Sequence, residues 1–123
     1  MNGLSLLAKA CLLRGQLSSA KEAATEMLEN VRFGLPQFSM DAISVLATVG
    51  AKSDGAAVAA CLLGYGDEWR RKSDQPPSRT DAQIRSMLVG ALSRRLRSDE
   101  LERAREDGSN LTLLEATELA LTL

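Results

Sequence analysis

Two cysteines, one tryptophan, a scatter of acidic pairs and a run of arginines are the side chains through which this 123-residue chain could do chemistry. It contains no histidine, which removes a histidine triad, a histidine general base and a histidine metal ligand. Cys11 and Cys61 lie far apart, without the close spacing of a zinc knuckle or the numbers of a disulfide scaffold. Both fall in apolar helical patterns and are expected to be buried free thiols. Asp67/Glu68 and Asp99/Glu100 are sequence neighbours, so on a helix they point to different sides and do not pair for acid–base work. Gly64-Tyr65-Gly66 would need a preceding strand to act as a phosphate turn. Inside a helical pattern it reads instead as a kink or a close helix contact. Serines and threonines cluster where helices should begin, and capping accounts for them. No metal set and no cofactor motif emerges, and the chain is expected not to be an enzyme.

Charge is uneven along the chain. Residues 1–65 carry 5 basic and 5 acidic side chains, residues 66–97 carry 8 and 4, and residues 98–123 carry 2 and 7. The net −1 therefore conceals a +4 segment followed by a −5 tail. One reading of the basic segment is phosphate neutralisation on a nucleic acid. The other is internal: the acidic tail folds over the basic helices. The second is favoured, because nucleic-acid binders usually carry a net basic domain. The clusters at 70–72 and 94–97 also suit helix C-termini, where the helix dipole favours cations.

The elements that must position these groups are helices throughout. Leu and Ala, at 21 and 17 residues, are strong helix formers, whereas aromatics are only 3% of the chain. The first helix spans about 4–14, with Leu4, Leu7, Ala8, Cys11 and Leu12 in one stripe and Gly15-Gln16 as its break. The second, about 18–33, has Ser19 and Glu22 as a capping box, Ala20, Ala24, Met27, Leu28 and Val31 inward, and Glu22, Glu26 and Glu29 outward. Gly34 and Pro36 stop it. The third, about 38–50, buries Phe38, Ala42, Ile43, Leu46 and Val49 and ends at Gly50. The fourth, about 54–72, aligns Val58, Ala59, Leu62, Tyr65 and Trp69, and Pro76-Pro77 mark a rigid loop after it. The fifth opens on a Thr80/Gln83 capping box and keeps Ile84, Met87, Leu88, Ala91, Leu92 and Leu96 at helical spacing. A sixth, about 99–107, follows Ser98 as cap and stops at Gly108. The last starts from a Thr112/Glu115 capping box, with Leu111 placed to staple onto Ala116.

Short connections imply antiparallel neighbours, and small residues such as Ala20, Ala24, Ala59 and Ala60 let helices approach closely. The expected fold is all-α: one domain over 1–123, built of stacked antiparallel helical hairpins, about six or seven helices in all. No secretory signal and no stretch of about 20 apolar residues is visible, so a cytoplasmic protein that does not span a membrane is expected.

The turn Gly15-Gln16-Leu17-Ser18-Ser19-Ala20 resembles that of a tetratricopeptide hairpin, with glycine at the bend and a small residue where the helices cross. A second unit, Gly50 with Ala59-Ala60-Cys61-Leu62-Leu63-Gly64, follows it loosely. The series continues through Pro76-Pro77 to Gly108-Ser109-Asn110-Leu111-Thr112-Leu113-Leu114-Glu115-Ala116. It resembles the C-terminal tetratricopeptide-like arm of bacterial STAND-ATPase transcriptional regulators, of the LuxR, antibiotic-regulatory and winged-helix types. Arg105 stands where that pattern often has Trp, and Tyr65 and Gly66 where alanines are usual. The resemblance implies an arm of a larger regulator, whose ATPase and DNA-binding modules would lie elsewhere, and a role in binding a protein or peptide, in sensing a signal, or in self-association. Tyr65, Trp69, Arg70 and Arg71 are the expected partner-facing edge. The alternative is a small DNA-binding regulator using the basic segment 70–97.

Overall fold

The computed structural model describes residues 2–30, 36–73 and 78–123. Seven helices account for nearly all of them: α1 (Asn2–Leu13), α2 (Leu17–Asn30), α3 (Pro36–Ala51), α4 (Ala56–Ser73), α5 (Arg79–Arg95), α6 (Ser98–Ser109) and α7 (Leu113–Leu121). The described residues contain no strand. The expected stop at Gly34 and the Pro76-Pro77 loop lie outside the described residues, as do Val31 and the side chains of Leu4, Glu29 and Phe38.

The apolar stripes read from helical spacing are largely the core. Leu12, Ala20, Ala24, Met27, Ile43, Leu46, Leu62, Ile84 and Leu92 are buried, and Met87 and Leu96 pack against the core from its margin. Leu7 departs from its expected stripe and is 53% exposed. Helix α1 rests chiefly on α2 and α3, which cover only part of its circumference, and Leu7 sits at the edge of the buried arc. The one fully buried polar side chain among the described residues, Thr48, satisfies its hydroxyl by donating to the Ser44 carbonyl one turn back (2.9 Å).

The turn between α1 and α2 has a simple physical cause. Gly15 adopts φ +79°, a conformation that disfavours any residue bearing a Cβ. It lets the Gln16 N–H donate to Cys11 (2.8 Å) and the Gly15 N–H to Leu12 (3.1 Å), the paired bonds that close a helix C-terminus. Gln16 then accepts from the Ala20 N–H, so α2 begins at once.

This early start places Ser19 inside the first turn of α2, and the expected Ser19/Glu22 box does not cap it. Two other expected caps also move. Ser78, not Thr80, caps α5 by accepting from the Asp81 N–H (3.1 Å). Arg97, not Ser98, precedes α6, and its backbone N–H donates to Glu100 (3.0 Å). The Thr112/Glu115 box forms as expected, with both reciprocal bonds in place (2.9 and 3.2 Å).

Helices α1 to α4 stack in chain order, each on the next, as antiparallel neighbours. Beyond α4 the order changes. Helix α5 lies on α3 and α4, α6 lies on α4, and α7 closes against α3 and α4. The α3/α4 hairpin is therefore the centre on which the C-terminal half assembles. Leu123 packs over Gly50 and Gly55 at the α3–α4 turn, where a Cβ on either glycine would meet its side chain.

The most extensive helix pair is α4 with α6, and glycine creates it. A Cβ on Gly64 would run into the backbone carbonyl of Arg105, and one on Gly108 into that of Cys61. The two backbones touch at both points. Gly108 is thus not the stop of α6, which runs on to Ser109, but its contact with α4. Gly50 likewise lies within α3, not at its end.

Gly64→Ala and Gly108→Ala should each lower unfolding free energy by about 3 kcal/mol, since neither helix can yield without repacking. Gly66→Ala, whose Cβ would meet only Met40 Cε at 3.5 Å, should be neutral or stabilise by up to about 1 kcal/mol. Urea midpoints of the three variants check this. Equal effects at all three would show that the α4–α6 contact is looser than described.

Candidate interaction surface

The four residues singled out on α4 do not form one patch. Tyr65 is 7% exposed and belongs to the core, and Trp69 packs against that core from a half-buried position. Arg70 reaches Asp81 on α5 (3.6 Å). Arg71 projects outward and pairs with Glu68 one turn back on its own helix. Successive residues turn about 100° around a helix, so four chemically attractive side chains at 65, 69, 70 and 71 spread over much of its circumference.

Two carboxylates organise the charged contacts between helices. Asp81 on α5 takes Lys9 from α1 (2.8 Å) as well as Arg70, and Lys9 also reaches Asp41 on α3 (3.1 Å). Four helices meet at this network, whose members are largely screened from water. Burial pushes the Lys9 ammonium down, but Asp81 and Asp41 outweigh it and hold it above its ordinary range. Burial likewise pushes Asp81 up, and Lys9, Ser78 and Arg70 together hold it below.

The second carboxylate, Asp67 on α4, accepts two bonds from Arg85 on α5 (2.9 Å each) and one from Arg105 on α6 (3.1 Å). The acidic tail does fold onto the basic helix α4, as expected, but not through its carboxylates. Among the described residues, the ion pair joining the two segments has the opposite sense: the cation comes from α6 and the acid from α4. The physical reason is the glycine contact. It turns the Gly64/Gly108 faces together and leaves Asp99, Glu100, Glu102, Glu106 and Asp107 exposed.

The outer face of α5 carries a partly covered apolar strip. Ile84, Leu88, Ala91 and Leu92 point inward to α3 and α4. On the other side lie two shallow, open depressions that share Ser86 and Met87 and so join into one shallow groove. Its apolar lining is Leu13, Ala82, Met87 and Gly90, with the buried Ala91 at its inner margin, and its charged lining is Lys52, Arg79, Arg94 and Arg95, with no carboxylate. Arg95 is held in place by donating to the carbonyls of Ser53 (2.6 Å) and Lys52 (3.0 Å). Leu13 is 43% exposed at the far end. The sequence pattern put Met87 and Ala91 in the core stripe and Arg79, Arg94 and Arg95 in the basic segment, without joining them into one surface. The available signal was Gly90, a helix-weakening residue inside the most regular helical pattern of the chain.

Cysteine chemistry does not attach to this surface. Cys11 is buried, and Cys61 is partly exposed beside α6. Burial, helped by Asp107, pushes the Cys61 thiol up, so it stays protonated and weakly nucleophilic near neutral pH. Among the described residues, no group of three or more Cys, Asp or Glu is placed to hold a metal ion. No described helix is long and apolar enough to cross a membrane.

The Lys9 network should be visible in the pH dependence of stability. Asp81, lowered in the fold, contributes stability that is present above its unfolded value near 3.8 and lost as pH falls through its folded value. Lys9, raised in the fold, contributes stability that is present below 10.5 and lost as pH rises through its folded value. Lys9→Met should therefore cost about 1–2 kcal/mol near pH 7, between the values for exposed and fully buried pairs. That difference should shrink on acidification through the Asp81 titration. Urea unfolding of both proteins across pH checks it, and a pH-independent difference would contradict it. No family model matches this chain, and no characterised protein or solved structure matches it either.

Proposed function

We propose that this chain is a non-catalytic helical interaction module that docks an acidic, amphipathic protein segment in the groove along α5. The carrying observation is the groove itself: an open apolar floor centred on Met87 and Gly90 between basic ends, with no carboxylate lining it. Apolar burial at the floor would supply affinity, and the charged rim would set orientation and choice of partner. The stacked helices α1 to α4 supply a packed support for such a surface. The reading agrees with the resemblance to the arm of STAND-ATPase regulators, where the module would sense or relay a signal through a protein contact. The edge on α4 would take part only through Arg71, the outward member of the set that includes Tyr65, Trp69 and Arg70.

The DNA-binding alternative has weaker support. Of the eight basic residues of 66–97, Arg70, Arg71, Lys72 and Arg85 are paired with carboxylates, and Arg95 is bound to backbone carbonyls. The exposed cations left over are few for tracking phosphates, and they flank an apolar floor.

Two measurements separate these readings. A photo-crosslinking residue at Ser86 should trap a discrete protein species in cells, whereas the same residue at Arg103 on α6 should not. Crosslinks of equal strength at both positions would contradict the docking site. Random duplex DNA should not be retarded by the protein in a gel at about 50 mM salt, and a shift that fades with added salt would favour the alternative.

A further inference from the structure

We propose that the segment docked in the α5 groove is helix α7 of a second copy of this chain, giving a head-to-tail assembly; this rests on the docking reading above and names its partner.

Two surfaces of the molecule complement one another. Helix α7 buries Ala116 and Ala120 against α3 and α4 and turns Leu114, Glu118 and Leu121 outward at helical spacing. Leu114 is 66% exposed and Leu121 38% exposed, and Glu115 stands beside them. Large apolar side chains are exposed at few described positions, and those on α7 share one face with two carboxylates. The groove offers the reverse: apolar floor, basic ends, no acid. Helix α7 is short enough to lie within the groove. At 1.5 Å per residue the nine residues of α7 span about 13 Å, and Arg79 to Arg94 on α5 spans about 22 Å.

Electrostatics points the same way. The +4 and −5 segments do not neutralise one another within the molecule, because the α6 and α7 carboxylates are left exposed. Docking α7 of one copy on α5 of the next brings two of these carboxylates, Glu115 and Glu118, to the basic rim of the groove. Gly90 adds an independent observation. Gly64 and Gly108 are required by backbone contact inside the fold, whereas a Cβ on Gly90 would meet nothing within 4 Å. A glycine that weakens its own helix and serves no internal packing lies in the middle of the groove floor, where an approaching helix would need room.

Because α5 and α7 occupy different parts of the surface, the contact is heterologous, and each copy offers one groove and one α7 face. This allows a decisive mixing experiment on the intact chain by sedimentation velocity at about 200 µM, a concentration suited to weak contacts. The wild type should sediment above 13.2 kDa, and less so in high salt. Arg94→Glu spoils the groove and Leu114→Glu spoils the α7 face without restoring a complementary pair, and each alone should lower the association constant by about tenfold or more. Mixed together, the two variants retain one intact pair of surfaces and should form a dimer that does not grow further. Gly90→Leu, which has room in the monomer, should block association while leaving the chain folded by circular dichroism.

A monomeric wild type overturns the proposal, as does a mixture that associates no better than its components. If the wild type is monomeric and a synthetic acidic amphipathic helix still shifts the Gly90 amide resonance, only the identity of the partner is wrong. If neither associates with the groove, the docking reading falls with it.

Discussion

No Cβ fits at Gly64 or Gly108, where α4 and α6 cross, and much of the C-terminal half follows from that constraint. Gly64 and Gly108 bring the two backbones together at the carbonyls of Arg105 and Cys61. Once α6 is seated, Arg105 meets Asp67, and Asp67 in turn holds Arg85 on α5. Helix α5 is then bound on one side to α3 and α4, with Asp81 locked to Lys9 and Arg70. Its opposite face is only partly covered, and that face is the groove.

The same constraint decides what the charges do. Pairing the acidic tail with the basic helices would need the carboxylate face of α6 turned toward α4. Glycine contact requires the other face. Two acids on α4 and α5, Asp67 and Asp81, therefore gather the cations that tie the helices together. Lys52, Arg79, Arg94 and Arg95 line the α5 groove, and the seven acids of α6 and α7 stay exposed. A nearly neutral chain thus becomes a molecule with opposite charge on two faces, the arrangement that directs one surface toward the other.

Helix number and core stripes were legible because they depend on local spacing: Leu12, Ala24, Ile43, Leu62 and Leu92 sit at the three- and four-residue steps that one helix face requires. The Thr112/Glu115 box was legible for the same reason, since both partners lie within one turn. Ser19, Thr80 and Ser98 misled because a hydroxyl near a helix start caps only if the chain turns in at that residue. Gly108 misled because glycine serves two purposes, ending a helix or admitting a neighbour, and the neighbour lies 47 residues away at Cys61. The α4 edge was chosen by residue type, whereas exposure depends on which side of the helix each side chain leaves; Tyr65 and Arg71 face opposite fates on one helix. The groove joins Leu13, Lys52 and Met87 from three parts of the chain, a combination that only tertiary packing reveals.

Helices α5 and α7 present complementary outer faces on one packed helical domain. A concentration series of amide-resolved nuclear magnetic resonance spectra of the whole chain tests that complementarity most directly. The account predicts shifts confined to two regions, Ser86–Arg94 on α5 and Leu114–Leu121 on α7, growing together as concentration rises. Spectra that do not change, or changes centred on α2 or on the outer face of α6, would contradict it.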